Sequence, residues 1–322
     1  MEVLGPLGHV GRNLFDELMQ DESFDCHFRP EGYYEVFQTQ EGLAAAQEDI
    51  PLQRSHGYGT EALGGEALQE LEPGLRSETV GGIFFPEAAT LDPGRFLSQL
   101  ASASETHGME LRAGARVVEV IAGRGRVRGV LLEGGEPVLG DAVVLATGAY
   151  SLQLAHPFGV RLPIQPAKGY HRDLPADDSE PPPLRITAML GERYVFCTPM
   201  GGFLRLAGTL ELSGLNHRMV ASRVENLQNS AVRYVRGLVD KTSSDDWVGL
   251  RPVTPDGLPV VGPVPGLDGL FVANGHAMLG LTLGPVTGKL LAEWVLEGTP
   301  PQVAWSRGDP PVDLSALRPD RF

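Results

Sequence analysis

Apolar and polar positions along the chain follow two periods, and each period marks its own elements. Leu14, Leu18 and Met19 recur at helical spacing near the start, and Gly32-Tyr33-Tyr34-Glu35-Val36-Phe37 then reads as a strand. Residues 41–46 and 62–72 read as short surface helices. Asp92 followed by Pro93 marks a helix start, since the carboxylate accepts from free N–H groups and proline suits the first helical position; Phe96, Leu97, Leu100 and Ala103 continue the helix. Residues 115–121, 126–132 and 142–146 predict strands, separated by Gly123-Arg124-Gly125 and Glu133-Gly134-Gly135-Glu136 turns. Residues 193–199 and 202–209 alternate with period two and predict a hairpin with one half-covered face. By that parity Tyr194 and Phe196 share a face, where they line a pocket or pack against helices. Residues 217–237 carry Val224, Leu227, Ala231 and Val235 on one stripe and predict a packing helix.

The densest pattern runs from Trp247 to Gly288. Arg251-Pro252 leads into Pro255-Asp256-Gly257, a corner in which proline fixes φ and Asp-Gly accepts a tight turn, so Arg251 sits in a rigid Pro/Gly-rich loop. Residues 269–273 are a short apolar run bounded by turn residues, as in a buried strand. Asn274-Gly275-His276, Gly280 and Gly284-Pro285 follow, and Val286, Leu290, Leu291, Trp294 and Val295 then take helical spacing. A strand therefore feeds a glycine-rich turn that opens a helix, where bare backbone N–H groups and the helix terminus can meet a planar or anionic ligand. From the glycines alone this is a cofactor cradle or an ordinary strand-turn-helix packing unit. Val143 to Ser151, an apolar strand ending in Thr147-Gly148-Ala149, repeats the theme more weakly.

Composition narrows the classes. A chain of 322 residues, 42% apolar, fills the cores of two modest domains. Its 41 glycines exceed the usual share of about 7% without any collagen-like period. A net charge of −15 and the lack of a basic patch set nucleic acid aside. Cys26 and Cys197 stand alone, which signals neither zinc nor a redox pair and suits a reducing, cytoplasmic setting. No apolar run has the length of a membrane span, which leaves peripheral attachment at the inner membrane face open. Gly5, Gly8 and Gly11 do not make a dinucleotide fingerprint, because their spacing is not G-x-G-x-x-G and too little chain precedes them for a strand.

The strings GLRPVTPDGLPVVGPVPG and LFVANGHAMLGLTLGPVTGKLLAEWV resemble the C-terminal flavin motif of the D-amino-acid oxidase/dehydrogenase (DAO) family of FAD-dependent oxidoreductases. The resemblance implies an α/β (mixed α+β) fold with a Rossmann-like FAD-binding domain and a second, substrate domain on a mixed sheet. The implied FAD-binding parts are 1–24, 82–155 and 246–300, the substrate domain 25–81 and 156–245, and the tail 301–322. Arg251 would pair with the substrate carboxylate under a roof bearing Tyr194 and Phe196. FAD would meet Gly275, His276, Ala277, Met278, Leu279, Gly280, Leu281 and Thr282, with Ala146, Thr147, Gly148 and Val117 towards its adenine half. Val117 reads equally as a core strand residue, and Arg251 as a structural partner of Asp245, Asp246 or Asp256.

Met278 stands where glycine-oxidase-like members carry an arginine, so glycine oxidation is disfavoured. No cysteine lies between Trp247 and Gly288, where sarcosine-oxidase-like members attach flavin, so FAD is expected to be non-covalent. The expected reaction is oxidation of D-amino acids or related amines, with an acceptor (quinone, respiratory chain or oxygen) left open. Against the family pattern the chain begins well inside, beyond the GxGxxG βαβ unit. The alternative to an active enzyme is therefore a non-catalytic chain or a subunit whose partner holds the dinucleotide unit, and a further alternative is a glycine-, sarcosine- or proline-type amine oxidase.

Overall fold

The period-two stretch around residue 200 lies in the middle of the largest sheet. The computed structural model describes residues 2–176, 182–303 and 312–322; residues 174–183, acidic and proline-rich, read from sequence as an exposed loop, and their middle lies outside the described residues. In chain order the elements are α1 (Leu4–Asp21), β1 (Tyr33–Phe37), α2 (Gln40–Gln47), α3 (Ile50–Ser55), β2 (Glu61–Gly64), α4 (Gly65–Leu71), β3 (Gly81–Phe85), α5 (Pro93–Thr106), β4 (Val117–Gly123), β5 (Arg126–Leu132), β6 (Pro137–Leu139) and β7 (Val143–Leu145). They continue as α6 (Ser151–Ala155), β8 (Gln165–Pro175), β9 (Thr187–Leu190), β10 (Val195–Pro199), β11 (Phe203–Glu211), α7 (Ala221–Tyr234), β12 (Asp245–Val253), β13 (Val260–Pro263), β14 (Leu270–Asn274) and α8 (Gly280–Glu297).

Eight strands form a mixed sheet in the order β12-β8-β11-β10-β9-β1-β3-β2, in which only β1 and β9 pair in parallel. Strand parity divides its side chains between two faces. Tyr170, Leu174, Val195, Leu204 and Leu206 point to one face, which α7 covers with Val224, Leu227, Ala231 and Tyr234. The opposite face carries Phe196, Ala207, His171, Trp247 and Arg251, and forms the roof of the site described below. The second unit holds β13-β14-β7, with β14 and β7 parallel, beside the small meander β4-β5-β6. Helix α8 packs on β13 and β14 through Leu283, Val286, Leu290 and Trp294, and α1 lies against α8.

Sequence expectations meet the structure unevenly. Helix α5 forms as expected, with Asp92 Oδ1 accepting from the N–H groups of Gly94 and Arg95 at 2.9 and 3.1 Å. Gly5, Gly8 and Gly11 lie within α1, and a Cβ on Gly11 would stand 2.6 Å from the Thr282 carbonyl oxygen, so that glycine permits the close approach of α1 to α8. Residues 62–64 are not helical: with Glu61 they form β2, whose pairing with β3 overrides local helix propensity until Gly65. Residues 82–85 and 246–253, assigned from sequence to the cofactor unit, pair into the roof as β3 and β12. The tail packs into the second unit through Val303, Leu314 and Leu317, and Arg321 pairs with Asp256 at 2.8 Å. No helix among the described residues is long and apolar enough to cross a membrane.

Candidate active site

Arg251 lies in edge strand β12, not in a loop, and its neighbour Pro252 is tolerated because an edge strand leaves one row of N–H groups unused. The cross-strand pair Gly249 and Gly169 leaves a bare patch of sheet beside it. The Arg251 guanidinium lies over Gly169, and the Trp247 indole lies over Gly249, where any Cβ would overlap these groups. A bulge in β11 places Thr209 at φ +68° and turns its carbonyl to accept from Arg251 Nη1 at 2.7 Å. Among the described residues Arg251 has no carboxylate partner. Asp246 is held by Arg172 at 2.8 Å, Asp256 by Arg321, and Asp245 lies 3.7 Å from His171. Burial pulls the Arg251 pKa below its usual value. A half-buried cation without a counter-charge is costly to the fold, and a carboxylate ligand offsets that cost.

This geometry predicts that Gly169→Ala will displace the guanidinium. The substitution suits a strand, where alanine outranks glycine by about 0.5–1 kcal/mol, so circular dichroism should be unchanged. The KM of a carboxylate substrate is expected to rise about tenfold; an unchanged KM would mean that the position of Arg251 over Gly169 is immaterial.

The two cofactor-like strings come together at the C-terminal ends of parallel strands β7 and β14, where ligands bind in open α/β sheets. Asn274, 2% exposed, joins them. Its Nδ2 donates to the Gly148 carbonyl at 2.8 Å and to Ser151 Oγ, and its Oδ1 accepts from the Gly275 N–H at 2.6 Å. Ser151 also bonds Thr147 Oγ1 at 2.7 Å. The sequence marked Asn274 only as a turn residue, because two of its three partners, Gly148 and Ser151, lie more than 120 positions away. The turn continues through Gly275 (φ +74°) and Ala277 (φ +47°), and the Ala277 N–H donates to the Pro252 carbonyl at 3.0 Å. That bond ties the turn to the residue next to Arg251.

Helix α8 then starts at Gly280, and Leu279 before it provides no side-chain cap, leaving the N–H groups of exposed Gly280, Leu281 and Thr282 at the mouth. Ala146, His276 and Gly280 share a wall of an apolar groove of about 700 Å³ along α8 and β7. Bare turns, an uncapped helix terminus and an apolar groove together fit a flat cofactor with electron-rich carbonyl oxygens. Met278, 73% exposed, projects from the same turn.

His276 Nε2 meets Thr287 Oγ1 at 2.9 Å, and burial drives the imidazole down to about 4. The folded pKa lies below the unfolded value of about 6.5, so the contribution of neutral His276 to stability is full above roughly pH 6.5 and is lost as pH falls towards 4. The melting temperature of the wild type is therefore expected to drop across that window by more than that of His276→Gln. Parallel curves would contradict the assignment.

The remaining predicted residues divide. Phe196 is on the roof face, 39% exposed and tilted against Tyr33 at 5.9 Å. Tyr194 does not share its strand parity: it precedes β10 in a turn at φ +52° and is 73% exposed. It stands at the Arg251 end of the roof, since Val195 pairs with Gly208 next to Thr209. Val117 opens β4 in the separate meander, opposite Leu132, and does not line the apolar groove. His171, Asp173 and Asp245 bring ligand-type atoms within 4.8 Å of one another. Asp173 is already held by two Arg205 N–H groups at 2.9 and 2.8 Å, which makes the cluster an ion-pair network.

A family model described as FAD dependent oxidoreductase (DAO) matches residues 2–294. The D-amino acid dehydrogenase of Allorhizobium ampelinum is 33% identical over 293 residues, covering 90% of this chain and 68% of that protein. The protein of the same name from Bradyrhizobium diazoefficiens is 31% identical over 321 residues, covering 98% and 73%. Among solved structures, glycine oxidase from Geobacillus kaustophilus superposes with a TM-score of 0.85 at 26% identity, covering 98% of this chain and 83% of that one. L-proline dehydrogenase from P. horikoshii, at 18% identity, shares the fold with a TM-score of 0.84 over 98% and 82%.

Proposed function

The chain belongs to the DAO family of FAD-dependent oxidoreductases, and on that premise we propose that it oxidises D-amino acids, with Arg251 as the carboxylate anchor and FAD held non-covalently. The observation that carries this reading is the half-buried Arg251 guanidinium, which has one backbone carbonyl and no carboxylate among the described residues as its partner. A guanidinium presents paired N–H groups to a carboxylate in a fixed fork, which a lysine does not reproduce. The relatives named D-amino acid dehydrogenase support the substrate class.

Gly275–Thr282 and Ala146–Gly148 would hold FAD through main-chain groups. When bound, FAD would supply the acceptor for the hydride leaving the Cα of a substrate with a neutral amine; the resulting iminium would then take up water and release ammonium and the 2-oxo acid. Arg251 fixes the substrate against the roof, and the bond from Ala277 to Pro252 fixes the distance between that anchor and the cofactor turn. Cys26 and Cys197, both buried and unpaired, support a reducing compartment. The test is dye-coupled turnover of the FAD-loaded protein over matched D- and L-amino acids. Turnover confined to D-enantiomers is expected, and turnover of neither would overturn the reading.

One observation favours a second reading. Strand β7 is an edge, with Val144 41% exposed beside the apolar groove, and that surface suits another strand and helix. On this reading the unit that grips the FAD phosphates comes from a partner. Flavin retention by the 322-residue chain alone through desalting would contradict it.

A further inference from the structure

The roof face carries one more feature that bears on the substrate, namely a slot cut across the strands. Phe196 pairs with Ala207, Ala207 with His171 and His171 with Trp247, so these four side chains form a single row on the Arg251 face. Phe196 and His171 stand two strands apart, about 9.6 Å between backbones, and the side chain between them in the row is the Ala207 methyl. His171 and Trp247 stack at 5.1 Å and 12°, giving the slot one double-layered wall, and Phe196 gives the other. Phe196 and Trp247 are 39% and 51% exposed and Ala207 is partly exposed, so the slot is open.

The row lies two residues along β8 from Gly169, over which the Arg251 guanidinium rests, a distance of about 6.7 Å. A substrate side chain of roughly four heavy atoms spans it. The next row holds the Arg205–Asp173 pair, whose two hydrogen bonds satisfy both partners, and beyond it Asp245, whose carboxylate lies 3.7 Å from His171.

Resting on the Arg251 reading above, we propose that Ala207 is the specificity-determining floor of a side-chain slot between Phe196 and the His171–Trp247 stack, selecting D-amino acids with unbranched or flat apolar side chains. A larger residue at 207 fills the slot from below. One methylene in an apolar pocket is worth about 10–200-fold in discrimination.

Two measurements test this on Ala207→Leu and the milder Ala207→Val, each with its circular dichroism compared with wild type. The first is the ratio of kcat/KM for D-norleucine to that for D-alanine, expected to fall at least about 30-fold in Ala207→Leu and less in Ala207→Val. The second needs no cofactor: Trp fluorescence titrated with hexanoate and with acetate, with Trp247→Phe identifying the responding ring. Wild type is expected to prefer hexanoate by about tenfold or more, and Ala207→Leu to lose that preference. An unchanged ratio in a folded Ala207→Leu, or a hexanoate preference that survives it, overturns the slot. A wild type that prefers hexanoate but oxidises no D-amino acid overturns the proposed reaction and leaves the slot standing.

Discussion

Arg251→Met is expected to lower kcat/KM for D-amino acids by about 10³-fold while leaving the melting temperature equal or higher. Truncating one partner of a desolvated, charge-assisted pair costs about 2–5 kcal/mol of binding, and about 4 kcal/mol corresponds to that factor. The opposite sign on stability follows from the same geometry. The guanidinium is half-buried and, among the described residues, bonds the Thr209 carbonyl and no carboxylate, so the fold carries a charge that a substrate carboxylate would neutralise on the proposed reading. An arginine whose role is structural gives the reverse result, a fall in melting temperature with little change in KM. Arg172, bonded through two nitrogens to Asp246 at 2.8 Å, is the internal contrast, and Arg172→Met should destabilise. Thermal melts of both variants alongside steady-state kinetics separate the two roles.

The second large effect is expected at Asn274. Its carboxamide satisfies the Gly148 carbonyl, Ser151 Oγ and the Gly275 N–H at once, in a site 2% exposed to solvent. Asn274→Ala strands those groups, and each buried group left without a partner costs about 1–3 kcal/mol. Loss of about 3 kcal/mol is expected by urea unfolding of the cofactor-free protein, together with loss of FAD retention. Asn274→Asp should be at least as damaging despite its identical shape, because it sets a carboxylate oxygen against the Gly148 carbonyl. An aspartate variant that matches wild type would show that the two turns are not held together through this side chain.

The sequence disclosed the local parts of this arrangement and hid the non-local ones. The turn after β14 was legible because its chemistry is contiguous: a strand, glycines and a helix start read in order. The Asp92 cap was legible for the same reason. Arg251 was legible as a residue but not in its setting, since Gly169, Thr209 and Gly249 surround it through pairings of β12 with β8 and β8 with β11. The slot over Ala207 depends on three such registers together, and an alanine within an alternating strand carries no signal of its own. Tyr194 departs from strand parity because parity holds only where the backbone is extended, and at φ +52° it is not. Residues 62–64 depart from the helical reading because helix formers there are recruited by an edge of the roof sheet.

One ratio shows whether Arg251 reads the substrate carboxylate: kcat/KM for D-alanine over that for D-alaninamide, which lacks the carboxylate charge, in wild type and in Arg251→Met. Wild type is expected to prefer D-alanine by about 10²-fold or more, and the preference to collapse towards unity in the variant. A preference that survives the loss of Arg251 would place the carboxylate elsewhere and remove Arg251 as its anchor.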